Sequence, residues 1–145
     1  MDISEILKIK PTIGFCNKME KISIGVDIEN ISKFQNLEQS KDRKFLKKIF
    51  TDFEIDYCFQ KINPAQHLAV RFAAKEAVMK ASNSIVSKTL LLTDIEIKND
   101  DDDKPNVYFK NNTPSNMEIS LSMSHNDGNA IAFVIMLNQK GDLFN

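Results

Sequence analysis

The stretch VRFAAKEAVMKAS, from Val70 to Ser82, decides how the rest of the chain folds. Its alanines and apolar residues are typical of a long helix that hides in a protein core. The helix begins upstream, at NPAQ, where Asn63 can cap it, Pro64 suits the first helical position and Gln66 completes a capping box. We predict a helix from Pro64 to about Ala81 on which the other elements pack.

One face of this helix carries charge among small and apolar residues. At about 100° per residue, that face contains Ala69, Phe72, Ala73, Glu76, Met79 and Lys80, with Arg71, Lys75 and Val78 roughly opposite. Glu76 and Lys80 lie one turn apart, and most such pairs are solvated ion pairs that contribute ~0.2–0.5 kcal/mol. Because alanines surround it, however, the carboxylate of Glu76 is open to a ligand. Burial of this carboxylate would be costly unless a cation neutralises it.

A second carboxylate comes from KISIGVDIEN, Lys21 to Asn30, in which apolar and polar residues alternate. This period of two predicts a strand with one buried apolar face, formed by Ile22, Ile24, Val26 and Ile28. Asp27 therefore points away from the apolar face, and Gly25 leaves room on the same side. A Mg²⁺ ion shared by Asp27 and Glu76 would suit a ligand that supplies phosphate oxygens, with Lys80 neutralising the phosphate charge.

The remaining segments complete an α+β pattern. Short helices are predicted from Asn30 to about Glu38, from Ser40 with a buried stripe at Phe45, Leu46, Ile49 and Phe50, and from the capping box Thr51 to Glu54. DIEIK and PNVYFK flank NDDDDK, and EISLSMSH and AIAFVIML flank NDGN, which predicts four strands in two hairpins. We expect one domain, residues 19–145, with an antiparallel sheet packed on the central helix, and an N-terminal extension, residues 1–18.

Composition limits the classes of partner. Nineteen basic and twenty acidic residues leave no global field for nucleic acid or an anionic membrane, so a charged partner must meet a local patch. The two cysteines, Cys16 and Cys58, lack the spacing of a zinc site or a disulfide framework. No apolar run approaches the ~20 residues of a membrane span. These features favour the cytosol.

The two histidines carry weak signals on their own. His125 ends the strand SMSH just before a turn, and such a histidine is more often a structural or surface group than a ligand. His67 lies near the start of the central helix, and we interpret it as structural.

Three blocks together resemble the holo-acyl-carrier-protein synthase group of the 4'-phosphopantetheinyl transferases: IGVDIENISKF, LAVRFAAKEAVMKA and ISLSMSHNDGNAIAFVIM, in this order. The resemblance extends from about Ile22 to Leu137. It implies transfer of the phosphopantetheine arm of coenzyme A, the co-substrate, to a serine of an apo acyl carrier protein in fatty acid biosynthesis. Adenosine 3',5'-bisphosphate would be released.

The resemblance also implies roles for individual residues. Asp27 and Glu76 match the Mg²⁺ ligands, Glu76 and Lys80 the catalytic groups, and Lys80 and His125 contacts to the phosphates of coenzyme A. Arg71 and Lys75 match the other basic positions of the coenzyme A site. The acceptor of the serine proton stays open between a Mg²⁺-bound water and Glu76. The segment after Ala81, SNSIVSK, lacks the glycine usual in this group.

Acyl carrier proteins are acidic, so docking requires a basic surface. In the group this surface lies on the helix after the G-x-D strand, which makes Lys33 the first candidate, followed by Arg43 and Lys44 among the later basic residues. The alternative is a solvated helix face. The resemblance further implies a homotrimer in which part of each coenzyme A pocket comes from a neighbouring subunit.

Two other functions are compatible with the residues. A non-catalytic module of the same fold could hold carrier protein or coenzyme A without turnover. An unrelated Mg²⁺-dependent phosphoester hydrolase would need further carboxylates, which NDDDDK could supply only if it folded toward Glu76. We expect NDDDDK to be a solvated hairpin tip.

Overall fold

The computed structural model describes residues 21–83, 85, 90–110 and 117–138. The predicted extension 1–18 and most of SNSIVSK lie outside these ranges. The helices and strands follow in the order β1 (Lys21–Asn30), a 3-10 helix (Ile31–Phe34), α1 (Arg43–Leu46), α2 (Asp52–Phe59), α3 (Pro64–Ser82), a second 3-10 helix (Leu92–Asp94), β2 (Ile95–Asn99), β3 (Pro105–Phe109), β4 (Met117–His125) and β5 (Asn129–Asn138).

The strands form two antiparallel sheets around α3. One sheet has the order β1-β5-β4, and β2 pairs with β3 in the other. Helix α3 packs against the three-stranded sheet and also contacts α2 and β2. The predicted α+β class, the two C-terminal hairpins and the central helix are confirmed.

Helix α3 approaches β1 very closely, because Gly25 has no side chain. A Cβ atom built on Gly25 would lie 1.9 Å from the Ala77 carbonyl oxygen and 2.9 Å from the Ala81 nitrogen. Ala73, Ala77 and Ala81 are fully buried. The small residues therefore bring the strand and the helix into backbone contact.

The apolar face of β1 is exposed, contrary to the prediction that it is buried. Ile22, Ile24 and Ile28 are each 64% exposed and Val26 is 52% exposed. Across the pairing with β5, this face continues through Ile131, Phe133 and Ile135. The helix side of β1 carries the other set of residues, including Gly25 and Asp27, so Asp27 does point away from the apolar face. We call the seven exposed apolar residues of β1 and β5 the outer apolar face.

Some helix termini follow local sequence and others do not; the helix predicted from Asn30 to about Glu38, for example, is a 3-10 helix that ends at Phe34. Thr51 and Glu54 form the predicted capping box of α2, and Pro64 occupies the first turn of α3. Asn63, however, makes no side-chain capping hydrogen bond. Helix α1 is shorter than predicted, with Phe45 48% exposed. No helix in the described ranges is long and apolar enough to cross a membrane.

Candidate active site

Asp27 and Lys80 meet where β1 crosses α3. The Lys80 ammonium lies 2.7 Å from Asp27 Oδ1 and 3.0 Å from the Val26 carbonyl oxygen. Glu76 precedes Lys80 by one helical turn, is partly exposed, and has no hydrogen bond or ion pair with any described residue. The close approach at Gly25 thus places one carboxylate of β1 beside the charged face of α3.

This group suits a hard cation that also binds phosphate. Among the described residues, no cluster of three or more histidine, cysteine, aspartate or glutamate side chains could form a metal site by itself. Within the described ranges, a metal at Asp27 and Glu76 would have two protein carboxylates, and oxygens of water or substrate would complete its ligands. That donor set is the one Mg²⁺ favours. The unpaired carboxylate of Glu76 is consistent with such a cation.

A second group surrounds Arg71, whose side chain is only 1% exposed. Its guanidinium donates long hydrogen bonds to the His67 carbonyl oxygen at 3.4 Å and to Asn99 Oδ1 at 3.3 Å, and lies 4.1 Å from the centre of the Tyr57 ring. Its Nε is buried without a hydrogen-bond partner, and no carboxylate within the described ranges forms an ion pair with it. A buried cation without a counter-ion favours an anionic ligand.

The ligand could enter a cavity of about 250 Å³ beside Arg71. Its walls include Tyr57, His67, Arg71, Asn99, Asp103 and His125. The His67 ring lies 6.2 Å from the His125 ring, edge to face. We call this space the Arg71 pocket; it contains two of the residues that the resemblance assigns to coenzyme A.

His67, which the sequence interpretation treated as structural, lies on the wall of the Arg71 pocket. Burial lowers the pKa of His67, and the neighbouring charges of Arg71, Lys61 and His125 lower that pKa further, while Asp103 raises it. One signal could have identified His67: it precedes Arg71 by four residues on α3, so the two share a helix face.

Lys75 does not reach this pocket. Its ammonium is completely buried, 2.6 Å from Glu54 Oε2, and donates to the carbonyl oxygens of Ile49 and Leu92. Burial lowers the pKa of Lys75, and Glu54 opposes the shift. Because Lys75 joins α3 to α2 in the core, we no longer assign it to coenzyme A.

The three predicted docking residues differ in whether an ion pair neutralises their charge. Lys33 is 65% exposed and pairs with Glu29 at 2.7 Å. Arg43 pairs with Asp52 at 2.8 Å, whereas Lys44 makes no ion pair within the part of the chain that the structure describes. Of the three, only Lys44 has no ion-pair partner among the described residues.

The hairpin tip NDDDDK and the thiol of Cys58 were not predicted to bind a ligand. The carboxylates of the NDDDDK tip are exposed, and Asp100 accepts hydrogen bonds from the backbone nitrogens of Asp102 and Lys104. The tip is thus a solvated hairpin end, as predicted. Burial raises the pKa of the Cys58 thiol to about 12, which makes it a protonated core residue.

Comparison with known proteins identifies the class. Residues 23–134 match the family model of the 4'-phosphopantetheinyl transferase superfamily, and the chain belongs to that family. A holo-[acyl-carrier-protein] synthase of Thermodesulfovibrio yellowstonii is 41% identical over 113 residues, which cover 78% of this chain and 96% of that protein. The resemblance inferred from the three blocks is confirmed.

Solved structures agree with the fold. A holo-(acyl-carrier-protein) synthase from Bacillus anthracis, in complex with CoA (3',5'-ADP), is 30% identical with a TM-score of 0.64, over 81% of this chain and 96% of the other. The Helicobacter pylori synthase, in complex with coenzyme A, is 31% identical with a TM-score of 0.65, over 78% and 98% of the two chains.

Proposed function

We propose that this chain transfers the 4'-phosphopantetheine group of coenzyme A to a serine of an apo acyl carrier protein and releases adenosine 3',5'-bisphosphate. Membership of the transferase family supports the reaction, and the Thermodesulfovibrio yellowstonii synthase aligns over 96% of its length. The observation that carries the proposal is the contact of Asp27 with Lys80, one helical turn after the partly exposed Glu76. We further propose a fatty acid carrier as the acceptor and the cytoplasm as the location.

The residues present suit attack by the serine hydroxyl on the β-phosphoryl group of coenzyme A. The bond between that phosphorus and the bridging oxygen breaks, and the electron pair leaves with the nucleotide. Such a transfer depends on positioning and on neutralisation of charge. Lys80 lies at the opening of this group, 51% exposed, and can pair with a phosphoryl oxygen. Mg²⁺ held by Asp27 and Glu76 would neutralise the pyrophosphate.

The experiment is to incubate the protein with coenzyme A, Mg²⁺ and an apo carrier protein and to weigh the carrier. We expect a gain of one phosphopantetheine. Binding of coenzyme A without a gain would indicate a non-catalytic module, and hydrolysis of coenzyme A without an adduct would indicate a hydrolase. Glu76→Gln should abolish transfer and keep the fold, whereas the matched control Asp101→Asn, at the exposed hairpin tip, should retain it.

We also propose that the chain forms a homotrimer with active sites between subunits. The outer apolar face spans two adjacent strands and leaves seven large apolar side chains between 37% and 64% exposed. A contiguous apolar patch of this kind is typical of a protein interface. Phe133→Asp should therefore reduce the mass in sedimentation to that of one chain and abolish transfer; an unchanged mass would contradict the proposal.

The division of the site around α3 supports a shared active site. Arg71 and Glu76 are five residues apart, which separates them by about 140° around the helix axis. The Arg71 pocket and the carboxylate group therefore lie on different sides of α3. We propose that the Arg71 pocket of one chain completes the carboxylate group of its neighbour.

Mixing two inactive variants tests the shared site. Glu76→Gln and Arg71→Gln chains are each expected to be inactive. After subunit exchange, a shared site would combine intact residues from both chains and restore part of the activity. If each site belonged to a single chain, every site in the mixture would keep one defect, and no activity would return.

A further inference from the structure

Both histidines of the chain lie on the Arg71 pocket. The full sequence contains only His67 and His125, which come from α3 and from the end of β4. Their rings lie 6.2 Å apart at an interplanar angle of 68°. The Tyr57 ring lies 6.0 Å from the His67 ring on another side. His67 is thus held by two aromatic contacts at the wall of a cavity that resemblance assigned only to other residues.

The charges around His67 favour an anion. Arg71 lies on the same helix, Lys61 follows α2 with its ammonium 4.3 Å from the Tyr57 ring, and His125 lies opposite. The hairpin of β2 and β3 contributes the one carboxylate of the described pocket wall, Asp103. Asn99 donates to Asp103 Oδ1 at 2.8 Å and accepts from Arg71, so this carboxylate meets the guanidinium only through an amide.

We propose that His67 is a second phosphate-binding imidazole, which binds the 3'-phosphate of coenzyme A together with Arg71 and His125 and takes up a proton as the phosphate binds. This inference rests on the proposed function. In the shared site proposed above, the pyrophosphate belongs at the carboxylate group of the neighbouring chain. The 3'-phosphate is the remaining phosphate of coenzyme A, and a buried guanidinium and two imidazoles on the wall of one pocket supply donors for it.

The proton uptake follows from the surroundings of His67. Burial and the cations Arg71 and Lys61 favour its neutral form before the ligand binds. A phosphate anion reverses this balance, because an opposite charge at hydrogen-bond distance favours the imidazolium. Coenzyme A should then bind more tightly as pH falls, until His67 is protonated in the free protein as well.

Calorimetry without carrier protein separates this role from a structural one. Coenzyme A and 3'-dephospho-coenzyme A are titrated, with Mg²⁺, in buffers of different ionisation enthalpy. We expect proton uptake near neutral pH for coenzyme A alone. His67→Phe, which keeps a ring between Tyr57 and His125, should remove that uptake and weaken coenzyme A about tenfold, as for one lost charge-assisted hydrogen bond, while the affinity for the dephospho compound stays unchanged.

A second substitution has the opposite sign. Asp103→Asn keeps an oxygen for Asn99 and a residue type that tolerates the positive φ of 61° at this position. It should strengthen binding of coenzyme A severalfold and leave the dephospho compound unaffected. Should His67→Phe and the alternative His67→Gln change both ligands equally, or neither, His67 has no phosphate contact. Failure of the wild-type chain to modify the carrier would instead overturn the proposed function.

Discussion

Substitution of Gly25 by alanine tests whether the contact between β1 and α3 creates the active site. The added Cβ would lie 1.9 Å from the Ala77 carbonyl oxygen, and a carbon and an oxygen need roughly 3.3 Å. The strand and the helix must therefore separate by about 1.4 Å, because both colliding groups belong to backbone. Overpacking of this kind destabilises a protein by roughly 1–3 kcal/mol. A displacement of about 1 Å between reacting groups can reduce turnover about 100-fold.

The two effects are measured separately. Urea unfolding followed by circular dichroism gives the free energy of unfolding, and carrier mass gives turnover of the folded protein at the same protein concentration. Gly128→Ala is the matched control, since its Cβ would meet only Asn126 Oδ1 at 3.9 Å and its φ is not positive. We expect Gly25→Ala to lose far more turnover than its loss of folded protein explains. Wild-type stability and turnover in Gly25→Ala would refute the reasoning.

Three further predictions concern charge. Lys75→Met should lower the free energy of unfolding by about 3–5 kcal/mol, because it leaves Glu54 buried without its cation. In urea titrations, the double variant with Glu54→Gln should recover part of this loss. An unchanged free energy of unfolding in Lys75→Met would contradict the prediction. Without ligand, the lowered pKa of His67 means that the unfolded chain binds a proton first, so stability should fall as pH falls below about 6.5. The stability of His67→Phe should fall less over this pH range. An equal fall would show that His67 does not cause the pH dependence. Glu29→Gln should free Lys33 and lower the KM for the carrier up to about fivefold, with kcat unchanged; a raised KM would show that the ion pair orients Lys33 for docking.

Features determined by neighbouring residues could be predicted from the sequence. Thr51 and Glu54 lie three positions apart, and their reciprocal hydrogen bonds form as the pattern indicates. The turn at Asp127 and Gly128 joins two strands, and Pro64 begins α3. Each of these signals depends on the backbone geometry of a few consecutive residues, which tertiary contacts leave unchanged.

Features that depend on a distant partner could not be predicted. Alternation identified the residues that share a face of β1, but it could not show which face meets α3. Gly25 decides this, since only a face with a glycine at that point allows the backbone of Ala77 to approach. Likewise, the helical projection placed Lys75 off the face of Glu76, about 100° around the axis, yet the carboxylate that pairs with Lys75 comes from another helix.

The candidate site likewise contains residues that could be predicted from the sequence and one that could not. Asp27, Glu76 and Lys80 were predicted together, and the structure brings Asp27 and Lys80 into contact. His67 was interpreted as structural because its four-residue spacing from Arg71 does not by itself indicate a ligand. Its importance depends on His125, which reaches the pocket only through the pairing of β4 with β5.

The alternation of β1 connects chemistry with assembly. One set of alternate residues faces α3 and includes Asp27, while the other set forms most of the outer apolar face. A shift of the pairing with β5 by one residue would exchange the two sets, removing Asp27 from Lys80 and burying isoleucines against the backbone of α3. The same register is therefore required for the metal-binding group and for the proposed subunit interface. Since only a glycine fits where α3 comes closest, the position of Gly25 favours that register and thereby couples the geometry of the active site to that of the interface.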